Sequence, residues 1–90
     1  MNSVLFFRAP SRSGAKLMAA YFETYCHCKL ANIFGAFTEN DDFMLSADVP
    51  DSTIDEVMNA MQSLSRITGK MFIFQTVDEE FKMYRVTMIK

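Results

Sequence analysis

The chain of 90 residues predicts an α+β domain of ferredoxin-like βαββαβ order with an added C-terminal strand. Its sheet is expected to be antiparallel, with two helices on one face. Three observations lead there. Strand-like and helix-like patterns follow one another in that order along the chain. Two strand-like runs, Val4 to Phe7 and Met71 to Phe74, are apolar at every position, as strands in the middle of a covered sheet are. Right-handed crossovers then set the first strand between the third and the fourth, with the fifth outside the fourth.

Each element has its own local reason. Pro10, Ser11 and Ser13 end the first strand and offer a helix N-cap. The helix that follows is expected to run to about Cys28, with Ala15, Met18, Ala19, Phe22 and Cys26 in one apolar stripe. Asn32, Ile33, Gly35 and Phe37 suggest the second strand, closed by the polar turn Glu39, Asn40, Asp41, Asp42. In the third strand Phe43, Leu45, Ala47 and Val49 alternate with Met44, Ser46 and Asp48, so the odd positions point inward. Pro50, Asp51 and Ser52 start the second helix, with Asp55 and Glu56 expected in its first turn. Its buried stripe is Ile54, Val57, Met58, Met61 and Leu64, and Gly69 ends it. Met71 to Val77 and Met83 to Ile89 form a hairpin about Asp78, Glu79 and Glu80.

Composition bounds the function classes. Length fits one domain spanning residues 1–90, and a hydrophobic half with few Gly and Pro argues against disorder. No apolar run approaches a membrane span, and the first residues lack a signal-peptide pattern. The expectation is therefore a cytoplasmic protein without membrane contact. Cys26 and Cys28 are too close together to staple distant segments and are read as free thiols. Neighbouring helix positions diverge by about 100°, so Cys26, His27 and Cys28 cannot surround a zinc ion. With a single His no Ser-His-Asp assembly is legible, so no enzyme, metal or cofactor is expected.

Two charged regions invite binding hypotheses. Arg8, Ser11, Arg12, Ser13, Gly14 and Lys16 supply cations, hydroxyls and a glycine at a helix start, the ingredients of an anion site. A phosphate loop requires Gly-x-x-x-x-Gly-Lys-Ser or Thr; here Ala9 stands for the first glycine and Ala15 separates Gly14 from Lys16. The topology also brings Glu39, Asp41 and Asp42 near these cations. The second region is acidic. No Lys or Arg lies between Lys29 and Arg66, and Asp48, Asp51, Asp55 and Glu56 are expected to meet Asp78, Glu79 and Glu80 at one pole. Such a cluster suits a basic protein partner.

Of the 9 Phe residues, all but Phe22 fall on or beside strands, while two helices cover one sheet face. An apolar second face, including Met44 and Ser46, asks for a cover. Aromatics there could stack RNA bases, yet the third strand lacks the basic and glycine residues of an RNA-recognition signature and the pI is about 5.2. The reading is a small non-enzymatic protein-protein interaction module, a self-associating inhibitor or adaptor that occupies a surface of another protein. It is of the kind a phage or other mobile element encodes. The alternative is a nucleotide- or RNA-binding protein using the Arg8–Lys16 loop and strand aromatics. A small hydrolase with a site assembled between two copies is a third, disfavoured class.

Overall fold

A computed structural model describes residues 1–25, 34–37 and 42–89. Among them the order is β1 (Asn2–Ala9), α1 (Arg12–Tyr25), β2 (Phe34–Phe37), β3 (Phe43–Pro50), α2 (Asp51–Thr68), β4 (Met71–Asp78) and β5 (Met83–Ile89). The α+β class is as expected. The sheet is mixed rather than antiparallel, with strand order β2-β3-β1-β5-β4. β5, not β4, lies beside β1 and runs parallel to it, which corrects the ferredoxin-like order and puts β4 at the edge.

Face patterns could not have resolved this point. β4 and β5 form a hairpin, and exchanging its two strands leaves each side chain on its original face. The faces themselves follow the alternation. On β1 the odd positions Ser3, Leu5, Phe7 and Ala9 are buried, as are Phe43, Leu45, Ala47 and Val49 on β3. Cross-strand pairing then puts Tyr84 and Val86 of β5 beside Leu5 and Phe7, and Phe72 and Phe74 of β4 beside Met88 and Val86. This is the face that the helices cover.

The helices supply the facing apolar stripes. α1 starts after Ser11, whose Oγ accepts the Gly14 backbone N–H at 3.1 Å, satisfying one of the donors a helix start leaves over. It buries Ala15, Met18, Ala19 and Phe22. Gly14 packs close to the sheet: a Cβ there would stand 2.8 Å from the terminal methyl of Met88, the flexible end of a side chain that would have to shift. α2 buries Thr53, Ile54, Val57 and Leu64. Met58, expected in that stripe, is instead half exposed, because a position four beyond Ile54 has rotated to the stripe's margin while Thr53 occupies the other side. Asp55 and Glu56 fall in the second turn rather than the first, since the helix already begins at Asp51. Gly69 ends it in the left-handed conformation (φ 68°), its N–H bonding the Ser65 carbonyl.

Phe22 is the hub of this core. Its ring stacks on Phe7 with centroids 5.4 Å apart and meets Phe72 edge-on at 5.6 Å. Farther along the same face Phe74 stacks on Tyr84. Among the residues whose burial is described, the strand aromatics belong mainly to the helix-covered face, with Phe6 on the opposite one. No described helix is long and apolar enough to cross a membrane. The helix end at Cys26–Cys28, the strand start at Asn32 and Ile33, and the turn residues Glu39, Asn40 and Asp41 lie outside the described residues.

Deleting the hub should be costly. Phe22→Ala is expected to lower unfolding free energy by about 3–5 kcal/mol. Phe81→Ala, in a turn and 69% exposed, should change it by no more than about 0.5 kcal/mol. Urea titrations followed by circular dichroism compare the two, and equal losses would contradict this core.

Candidate functional site

The pairing registers bring the acidic residues to one end of the sheet. Asn2 pairs with Pro50 and Val4 with Met83, so the start of β1, the junction between β3 and α2, and the β4–β5 turn share that end. Asp48, Asp55, Glu56, Glu79 and Glu80 are exposed there. Two of the acids have structural duties. Asp78 accepts the Phe81 backbone N–H through Oδ1 at 3.1 Å, holding the turn. Asp51 is the first residue of α2 and makes no side-chain cap. Its Oδ1 accepts the Ser3 hydroxyl at 2.7 Å, and its Oδ2 receives the Lys82 ammonium at 2.9 Å.

Lys82 therefore sits as a cation inside the acidic end. It has a left-handed backbone (φ 52°), a conformation that a residue with a Cβ adopts at a cost of about 1–2 kcal/mol. That conformation turns the chain into β5 and leaves the Lys82 carbonyl accepting the Val4 N–H at 2.9 Å. One residue thus joins the turn, α2 and β1. The bond from Lys82, then that from Ser3, holds the Asp51 carboxyl below its ordinary value of 3.8.

The anion-site residues do not form an open cradle. Arg8 gives both Nε and Nη2 to a single oxygen of Asp42, at 2.9 and 2.6 Å, the pairing expected from the Asp42 turn. Arg12 lies over the Phe43 ring, 5.7 Å from its centroid, a cation–π arrangement. Ser11 is committed to Gly14 and lies 3.3 Å from the Ser13 hydroxyl. Lys16 is exposed on α1. Glu39 and Asp41 fall outside the described residues.

A groove of about 490 Å³ opens beside this helix start, with Met18, Phe72 and Met88 at its floor and Ser13, Tyr21 and Lys70 around it. The sheet face away from the helices is mixed in character. Across its middle run Ser46, Phe6, Arg85 and Gln75, and across the next row Met44, Arg8, Thr87 and Ile73. Arg85 gives Nη2 to the Gln75 carbonyl oxygen at 2.6 Å, while its buried Nε has no hydrogen-bond partner among the described residues.

Among the described residues, β4 is an exposed edge strand. β4 exposes Met71 at 67%, Ile73 at 44% and Val77 at 46%, and its backbone pairs on one side with β5 and stands at the sheet margin on the other. From Met71 to Val77 it has neither charge nor proline, the usual means of blunting an edge. An irregularity between Thr76 and Asp78 interrupts its far end only. Comparison with known family models, characterised proteins and solved structures finds no match, so the site is read from its own geometry.

The sequence did not single out Ser3, Lys82 or Arg85. Lys82 had a weak signal, a lone cation two residues after an acidic run; Ser3 had none, because its partner is 48 residues away. The Asp51 carboxylate has a depressed pKa, so its stabilisation is complete above pH 3.8 and is lost as pH falls through the lower folded value. Asp51→Asn should therefore melt below the wild type near neutral pH, the gap closing in acid as the wild type protonates. Melting curves at stepped pH test this, and a gap constant through the acid range would remove the charge from the account.

Proposed function

We propose that this chain is a non-catalytic protein-binding module that docks a partner along the β4 edge, acting as an inhibitor or adaptor by occupying that partner's surface. The observation that carries the reading is an edge strand of eight residues with interior composition and exposed apolar side chains. Strand addition at such an edge gains main-chain hydrogen bonds, and side chains on alternate positions set specificity. The acidic end, Asp48, Asp55, Glu56, Glu79 and Glu80, steers a basic surface toward it by long-range attraction.

The nucleic-acid alternative has less in its favour. Phe7, Phe43, Phe72 and Phe74 face the helices, Arg8 is engaged by Asp42, and net charge is −2. Among the described side chains, Phe6 beside Arg8 and Arg85 speaks for it. Two measurements separate the readings. Ile73→Lys should remove the proteins captured by the wild type from a lysate, while the triple change Arg8→Ala, Arg12→Ala, Lys16→Ala should retain them. Single-stranded RNA should stay unbound at low salt. Tight RNA binding by the wild type that weakens steeply with salt and is lost in the triple variant would overturn protein docking.

A further inference from the structure

We propose that the occupant of the β4 edge is β4 of a second copy of this chain, paired antiparallel about a two-fold axis near Phe74, so that the two sheets continue as one. This rests on the edge-docking reading and names its partner. The argument begins with a mismatch between composition and place. Met71, Phe72, Ile73 and Phe74 are apolar on both faces, as central strands are, yet β4 is last in the sheet. β5, which occupies the interior position, has a polar alternation of Arg85 and Thr87 on one face. Pairing with a second copy makes β4 an interior strand of a doubled sheet and resolves the mismatch.

The opposite margin does not compete for this role. Among the described residues β2 is four residues long, and short edges are poor templates for pairing. A β2 contact would also leave Met71, Ile73 and Val77 exposed.

Charge then selects the second copy and its direction. β4 begins after Lys70, exposed and cationic, and ends at Asp78, Glu79 and Glu80. In an antiparallel pair centred on Phe74, Lys70 of each copy reaches the partner's acidic turn, and the symmetry makes this happen twice. A parallel pair would instead set the acidic turns side by side, where like charges repel. With the same centre Ile73 lies opposite the partner's Gln75, and Met71 approaches the partner's Val77. Each of these exposed apolar side chains thereby gains cover.

Within one chain the two ends of β4 are about 25 Å apart, so a charge exchange between them reports on pairing between chains. Sedimentation equilibrium across micromolar to millimolar concentrations should show a species of twice 10.3 kDa. Ile73→Lys should reduce it to the monomer with circular dichroism unchanged. Lys70→Glu alone, and Glu79→Lys with Glu80→Lys alone, should each weaken association about fivefold or more at low salt. Combining all three substitutions in one chain should restore it.

A dimer indifferent to Ile73→Lys would overturn the proposal, and so would a failure of the combined variant to recover. A monomer at every concentration overturns the second copy as occupant, and if Ile73→Lys then also leaves lysate capture unchanged, the edge-docking reading falls with it.

Discussion

The parallel pairing of β1 with β5 is the constraint on which the remaining architecture depends. It inserts the last strand into the sheet interior, displaces β4 to the margin and leaves the connection through α2 to span from β3 to the far edge. The carbonyl of Lys82 on the Val4 N–H extends that pairing into the turn, and the Lys82 side chain ties the turn to Asp51 at the start of α2. A single residue in a left-handed conformation therefore coordinates three segments that are distant in sequence. The conformational cost at Lys82 is offset by what its ammonium reaches; a glycine there would keep the carbonyl on Val4 but lose the bond to Asp51.

That arrangement divides the molecule's chemistry by face. Aromatic side chains concentrate beneath the helices, where Phe22 joins Phe7 to Phe72 and the apolar area removed from water is greatest. Among the described side chains the other face sets Arg8 and Arg85 beside Phe6 and Ile73, so charge interrupts its apolar surface. At the β4 edge, by contrast, an unpaired strand margin and exposed apolar side chains occur together. Of the cations near the start of α1, Arg8 is engaged by a carboxylate and Arg12 by a ring, while Lys16 is exposed; the opposite end carries the exposed carboxylates.

Much of this was legible locally. Alternation in Phe43 to Val49 set the inward face of β3, since a two-residue period leaves no other choice for a strand covered on one side. Spacings of three and four identified the buried faces of α1 and α2, and Gly69 marked a helix end because a left-handed C-terminal residue is disfavoured for side chains with a Cβ. Where the stripe was overdrawn, at Met58, the error came from treating a position at the helix margin as part of its face. The proximity of Asp42 to Arg8 followed from topology, because both adjoin the same end of the β1–β3 pair.

Sequence by itself determined the α+β class, the inward face of β3 and the gathering of acidic residues at one end, all of which follow from periodicity and chain direction; which faces of β1 and β4 turn inward was decided by the tertiary structure. Tertiary structure alone decided which strand of the final hairpin sits beside β1, because both orders preserve each side chain's face. It likewise decided that Asp51 meets Ser3 and Lys82 instead of capping its own helix, since those partners are separated from it by 48 and 31 residues. The exposure of β4 belongs to the same category: its composition is that of an interior strand, and only the order of the sheet reveals an uncovered edge.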